Sequence, residues 1–333
     1  MKISVLGGGA WGTALAMLLL ENGNSVSLWS HSAEKAEYMR ENRENPLLKG
    51  ITLPEALNIT DSLDCLAGCG AAVSAVPSFA VRKTARAAAD CLDEGALIVS
   101  VSKGIEKDSS LTLTQVISQE VGENHPVVAL SGPSHAEEVS RHIPTAVVSA
   151  SKDRAAAEKV QDLFMNERFR VYTSDDILGV QIAAAFKNII ALCAGCCDGM
   201  GLGDNTKAAL ITRGLSEIAR LGEALGSRKE TFAGLSGVGD LVVTCTSMHS
   251  RNRRCGILIG QGMKPEDAVK EIGAVVEGYY AAANAKTLAE RYGVEMPILE
   301  GTYQVLYEGG DPGTIVRNLM TRAKKREIEN CWL

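Results

Sequence analysis

Aromatic side chains are scarce: they make up 5% of the 333 residues. An interior with so few rings must be filled by aliphatic and small side chains at close-packed density. Long apolar runs are also missing. No unbroken stretch reaches the roughly 18 residues that a membrane-spanning helix needs, so no stable membrane insertion is expected. Positive charge is not in excess. Lysine and arginine number 34 against 40 acidic residues, a formal net charge of −6, which argues against a general nucleic-acid binder. Cysteines lack a pairing pattern. There are nine, an odd number, and Cys193, Cys196 and Cys197 sit among apolar neighbours. They read as reduced thiols serving as small hydrophobes in a cytoplasmic protein. Cys193 and Cys196 have no second ligand pair at suitable spacing, so no metal site is expected. Residues 1–20 carry Lys2 and an apolar stretch, but Gly7-Gly8-Gly9-Ala10-Trp11-Gly12 interrupts it, which makes a poor signal-peptide core. Glycine, in contrast, is plentiful: 33 residues, a composition suited to close backbone approaches.

Hydrophobic patterning divides the chain. Strand-like aliphatic runs occur at 2–6, 25–29, 71–76, 96–101, 127–130 and 145–150, with helical spacing at 13–21, 79–91 and 111–121 between them. This alternation predicts an α/β, doubly wound parallel sheet of Rossmann type, covered on both faces. After about residue 173 the strand signals fade. Helices are predicted over 176–197, 207–225, 264–272, 278–292 and 314–329. The division falls near 174–179, giving a dinucleotide-binding domain over 1–178 and an all-α substrate and catalytic domain over 179–333, with a cleft between. The last five residues, 329–333, read as a tail, frayed or docked.

The hexapeptide from Gly7 to Gly12 fits G-x-G-x-x-G and lies where that pattern has meaning, after a strand, at the start of a helix and inside a βαβ unit. Gly7 permits the tight turn, Gly9 lets the backbone approach a pyrophosphate, and Gly12 allows close helix–strand packing. The free N–H groups of the helix then face the phosphates. A carboxylate at the end of the second strand would mark NAD. Ser30-His31-Ser32 stand there instead, so the expectation leans to NADP, with NAD as the alternative.

Polar residues gather after later strands. Lys103 follows the fourth strand, as either a ligand-facing cation or a solvated loop residue. Gly132, Pro133 and Ser134 follow the fifth. Lys187 has Ala183, Ala184, Ile190 and Ala191 at its helical neighbour positions, so it is either snorkelling or desolvated; desolvation would lower its pKa towards proton-transfer range. Asn188 follows it as a second polar group. Asp240 lies in a glycine-flanked segment read as a flexible loop. Ser250-Arg251-Asn252-Arg253-Arg254 is either a solvated basic face or an anion clamp, in which Arg251 and Asn252 grip a phosphate.

Together these pieces resemble the bacterial NAD(P)-dependent glycerol-3-phosphate dehydrogenases over essentially the whole chain. The carriers are GGGAWGTALA from Gly7, VSKGIE from Val101, SGPSHAEEV from Ser131, AAFKNIIALCAGCCDG from Ala184, LSGVGDLVVTCTS from Leu235, SRNRRCG from Ser250 and VVEGYYAA from Val275. The resemblance implies reversible reduction of dihydroxyacetone phosphate by NAD(P)H to sn-glycerol 3-phosphate, the backbone of phospholipids. It implies Lys187 as general acid/base. Lys103, Gly132, Ser134, Lys187, Asp240, Ser250, Arg251 and Asn252 are implied as substrate contacts. Gly7, Gly9, Ala10, Trp11, Gly12, His31, Lys103, Ala136, Arg251, Val275 and Glu277 are implied as cofactor contacts. Relatives often carry Ser where Ala10 stands, so a hydroxyl contact there would be lost. The resemblance also implies a homodimer through the helical domain. Two rivals are a dehydrogenase of the same plan acting on a hydroxy acid or 6-phosphogluconate, which gives no reason for SRNRR to follow GDL, and a non-catalytic nucleotide sensor, which would have lost Lys187 or Asp240.

Overall fold

A computed structural model describes residues 1–327. Eight strands form one sheet: β1 Lys2–Leu6, β2 Ser25–Trp29, β3 Asn58–Thr60, β4 Ala71–Ser74, β5 Leu97–Ser100, β6 Val127–Ser131, β7 Thr145–Ala150 and β8 Phe169–Ser174. Their order is β3-β2-β1-β4-β5-β6-β7-β8. The reversal beside β1 creates the crevice where doubly wound sheets bind ligands. All six expected strands are present. Two were not foreseen: β3, only three residues long, and β8, whose alternating burial leaves one face towards water. The sheet also departs from wholly parallel pairing, because β7 runs antiparallel to β6 while β8 runs parallel to β7.

Beyond β8 the described chain is helical. The Ile177–Gly199 helix, 23 residues long, forms the axis of this half. It is long and apolar enough to cross a membrane, although Gln181, Lys187 and Asn188 interrupt its apolar run. Its apolar surface is instead covered by neighbouring helices, and Phe186 at its middle is fully buried. The expected helices appear as Asp204–Ala224, Pro265–Ile272, Glu277–Tyr292 and Pro312–Met320. The last stops short of the predicted end: Thr321 caps it, and residues 328–333, including the tail read from sequence, lie outside the described residues. The helices Ala33–Asn42, Arg154–Phe164, Arg251–Gly260 and Pro297–Tyr307 were not foreseen. One hydrophobic core lies under the sheet around Leu15, Leu28 and Phe164. A separate one surrounds Phe186, Leu221 and Phe232.

The helical half depends on an unusually close crossing. Gly195 and Gly199 on the axial helix face Gly256 and Gly260 on the Arg251–Gly260 helix. A Cβ on Gly195 would collide with the Arg253 carbonyl, on Gly199 with that of Ile257, on Gly256 with that of Leu192, and on Gly260 with that of Cys196. Each obstacle is backbone and cannot step aside. These glycines are in helical conformation, so the requirement is proximity rather than backbone freedom. The crossing sets the start of the second helix, Ser250 to Asn252, against the middle of the first. Gly256→Ala is accordingly expected to destabilise the protein by about 3 kcal/mol or more, as overpacking against rigid backbone does, read as a lowered Tm in calorimetry. Gly262→Ala, whose Cβ would point into open space at positive φ, should cost only about 1 kcal/mol.

Candidate active site

Loops leaving the carboxyl ends of the strands meet the helical half. Lys103, after β5, reaches across to Asp240, and Ser78, after β4, reaches Glu277. Ser236 donates to the Ser131 carbonyl at the end of β6.

Lys187 lies in the middle of the axial helix and is 5% exposed. It is therefore desolvated rather than snorkelling. Its Nζ donates to Asp240 Oδ1 and, at 2.7 Å, to Thr244 Oγ1. Lys103 Nζ donates to the other carboxylate oxygen, Oδ2, at 2.7 Å and to the Gly132 carbonyl at 3.2 Å. Ser134 Oγ donates to that same carbonyl at 3.0 Å. One buried carboxylate is thus held between two ammonium groups. The loop expected around Asp240 is instead a single π-turn, Leu235–Gly239, running into the Asp240–Thr246 helix. Asp240 opens that helix, 1% exposed, and Thr244 lies one turn on. The Thr244 hydroxyl donates to the Asp240 backbone carbonyl at 2.6 Å, so its lone pairs face Lys187.

Burial lowers the Lys187 pKa most strongly, Asp240 opposes it and the Lys103 charge lowers it further, bringing it to about 7. For Asp240, burial pushes upward but Lys103 and Lys187 outweigh it, holding the carboxyl below its ordinary range. The site can therefore hold or release a proton at Lys187 near neutrality while Asp240 stays charged.

The clamp segment is only partly as expected. Ser250 caps its helix, accepting from Arg253 N–H at 3.2 Å. Arg251 is exposed on the first turn. Asn252 is buried and turned inward: its Nδ2 donates to Asn188 Oδ1 at 3.0 Å, and its Oδ1 accepts from Gly278 N–H at 2.8 Å. It braces three helices and keeps one N–H in reserve. Arg253 is structural, bound to Asp198 at 2.8 Å and to the Thr246 carbonyl at 2.6 Å. Free N–H groups at the start of this ten-residue helix, beside Arg251, suit an anion.

The glycine loop fits a dinucleotide. Gly7 has φ +134°, and a Cβ there would lie 2.5 Å from the Ala75 carbonyl oxygen. A Cβ on Gly12 would collide with the Gly7 carbonyl, while Gly9 has open space where a Cβ would stand. Gly9 begins the Ala10–Glu21 helix with no side-chain cap and no acidic residue in its first turn, so its N–H groups remain available for an anion. Ala10 and Trp11 are half-buried at the same turn. At the end of β2, Ser32 is spent as a helix cap and Ser30 is buried, leaving the exposed His31 as the free polar side chain. On the helical side, Val275 is half-buried and Glu277 accepts from Ser78 Oγ at 2.8 Å. Burial pushes the Glu277 carboxyl upward. Ala136 is buried at the start of a short helix after β6.

Two residues escaped the sequence reading. Thr244 carried a signal, since it lies one helical turn after Asp240, but the segment had been read as loop. Asn45 carried none. It is 1% exposed, and its Nδ2 donates to the Gly8 carbonyl at 3.1 Å and to Thr13 Oγ1 at 2.7 Å, from 37 and 32 residues away. It clips the glycine loop in place.

A dinucleotide-type glycine loop together with a buried lysine of near-neutral pKa marks a nucleotide-dependent dehydrogenase. Residues 2–157 match the family model described as NAD-dependent glycerol-3-phosphate dehydrogenase N-terminus, and residues 176–317 match that of the C-terminus. The chain is 50% identical to glycerol-3-phosphate dehydrogenase (NAD(P)+) of Desulfitobacterium hafniense over 333 residues, covering all of this chain and 94% of the relative. It is 52% identical to the same-named protein of Pelotomaculum thermopropionicum over 336 residues, covering all of this chain and 96% of the relative. The crystal structure of the Coxiella burnetii glycerol-3-phosphate dehydrogenase superposes with a TM-score of 0.92 at 38% identity, over 96% of this chain and 98% of that one. The chain belongs to the NAD-dependent glycerol-3-phosphate dehydrogenase family, as its motifs implied.

Asn45→Ala leaves the Gly8 carbonyl and the Thr13 hydroxyl unpaired. The expected outcome is a loss of about 1–3 kcal/mol of stability and weaker NADPH binding in a fluorescence titration. Unchanged NADPH affinity would remove Asn45 from loop positioning.

Proposed function

We propose that the chain catalyses reversible reduction of dihydroxyacetone phosphate to sn-glycerol 3-phosphate with NADPH or NADH, supplying phospholipid synthesis in the cytoplasm. The carrying observation is Lys187, buried, set against Asp240 and Thr244, with a pKa near 7. When bound, the reduced nicotinamide supplies the hydride. Lys187 gives its proton to the developing alkoxide oxygen at C2, and in the reverse direction takes that proton back. Asp240 holds Lys187 and Lys103 in place and balances one of their two charges. The remaining positive charge suits a phosphorylated, carbonyl-bearing substrate. Lys103, the Gly132–Ser134 turn, Ser250 and Arg251 hold the substrate, and Asn252 offers its spare N–H. Gly7, Gly9, Ala10, Trp11, Gly12, His31, Ala136, Val275 and Glu277 hold the dinucleotide, with Lys103 and Arg251 reaching it from the substrate side.

His31 supports preference for NADP: it is the exposed side chain at the end of β2, and no carboxylate stands there to repel a 2′-phosphate. The working units of this reading are 1–178 for the nucleotide and 179–333 for substrate and catalysis. The separate cores under the sheet and around the axial helix support that division. The motif resemblance supports a further part of this reading, a homodimer formed through the helical domain.

With dihydroxyacetone phosphate as sole substrate, the protein should consume NADPH faster than NADH at limiting cofactor. A clear NADH preference would refute the assignment of His31. Lys187→Ala should lower kcat about 10²–10⁴-fold, and near-wild-type turnover would remove Lys187 from its role. In wild type, kcat/KM for reduction needs the ammonium form and should fall as pH rises through about 7. For oxidation it needs the free amine and should rise over the same range. Profiles flat through this range would exclude Lys187 as the titrating group.

A further inference from the structure

Among the described residues, three buried side-chain polar atoms without a hydrogen-bond partner belong to segments around the site: Ser100 Oγ at the end of β5, Ser131 Oγ at the end of β6, and His135 Nε2 in the loop that follows β6. Ser100 and Ser131 are short side chains at the ends of their strands. His135 is different in kind, because a buried imidazole nitrogen left unpaired costs stability that a partner would recover.

His135 precedes the short Ala136–Val139 helix, yet its side chain does not cap it. The ring packs instead near His249, its centroid 5.7 Å from that of His249 and tilted by 54°. His249 is exposed in the turn immediately before Ser250 and Arg251. One neighbour of His135 in the chain is Ser134, whose hydroxyl shares the Gly132 carbonyl with Lys103. The imidazole therefore stands between the Gly132–Ser134 turn and the clamp. Burial, followed by the charge of Lys187 and a smaller contribution from Lys103, holds its pKa below the ordinary value, while Glu137 and Glu138 oppose this. It is a neutral ring carrying one N–H, beside two cations that draw an anion into the same space.

We propose that His135 is a further substrate-positioning residue of this enzyme, its Nε2–H donating to the phosphate of dihydroxyacetone phosphate opposite the Arg251 side of the clamp. This rests on the substrate placement proposed above. The phosphate then meets donors from both halves of the molecule: His135 from the sheet side, Arg251 and the start of its helix from the other. Closing the cleft on the substrate and gripping the phosphate become one event. The His135 Nε2 atom is itself shut off from water, which strengthens a hydrogen bond to an anion.

The test compares His135→Phe, which keeps a ring and loses both nitrogens, with His135→Gln, whose amide can place an N–H near the position of Nε2. His135→Phe should raise KM for dihydroxyacetone phosphate about tenfold or more, with a far smaller change in kcat, as expected for a lost hydrogen bond to a charged group. His135→Gln should recover most of that loss. KM for NADPH should stay at the wild-type value in both. Dihydroxyacetone, which lacks the phosphate, should be reduced equally well by wild type and both variants. An unchanged KM in His135→Phe, a Gln variant no better than Phe, or an equal loss with dihydroxyacetone would overturn the role. Arg251→Ala separates this idea from its foundation. If its KM for dihydroxyacetone phosphate stays flat while His135→Phe is impaired, the clamp is wrong and His135 stands. If Arg251→Ala is impaired and His135→Phe is not, only the role of His135 falls.

Discussion

One carboxylate shared by two lysines governs the site. Asp240 is buried, charged and contacted by an ammonium on each oxygen. In a region of low polarity an unpaired charge would be intolerable, so the three groups hold one another in position. The arrangement carries one more positive charge than negative when Lys187 is protonated. Burial disfavours that surplus, which brings the Lys187 pKa down to about 7. The same imbalance favours an anionic ligand. On the proposed reading, proton transfer and attraction of a phosphorylated substrate have one electrostatic origin.

That cluster draws on both halves of the molecule. Lys103 comes from the loop after β5, Lys187 from the axial helix and Asp240 from the first residue of the Asp240–Thr246 helix. Its geometry requires the Asp240–Thr246 and Arg251–Gly260 helices to lie close against the axial helix, and glycine makes the second approach possible. Gly195, Gly199, Gly256 and Gly260 let two backbones come nearer than any side chain would allow. Asn252 then ties Asn188 and Gly278 together at the same level. An interior poor in aromatic rings is consistent with this construction: small residues bring the elements together, and hydrogen bonds between buried polar groups orient them.

Much of this was legible from the residues in order. Aliphatic runs marked six of the eight strands, because strands inside a sheet covered on both faces are largely apolar. The edge strands β3 and β8 were not legible. The first is three residues long, and the second pairs only with β7 and leaves one face exposed. The antiparallel turn of β7 against β6 leaves no mark in hydrophobic pattern, since pairing direction is a property of the connection. Lys187 was visible from the small and apolar residues at its helical neighbours. The helix beginning at Arg251 was hidden, because its run of arginines was read for charge alone, as a basic face or an anion clamp, and the axial helix that explains Gly256 and Gly260 lies far away in the sequence. Asn252, read as one arm of an anion clamp, is also a brace between helices, which could not be read locally because its two partners lie 64 and 26 residues away.

The linear chain by itself determined the nucleotide end. Gly7, Gly9 and Gly12 act within one strand–turn–helix, where spacing alone dictates geometry, and the family motifs followed in order along the rest. Only the tertiary structure decided the chemistry. The charge on Asp240, the near-neutral pKa of Lys187, the inward turn of Asn252 and the unpaired nitrogen of His135 depend on burial and on groups far apart in sequence. Desolvation is a property of the space around a side chain, and no local pattern carries it.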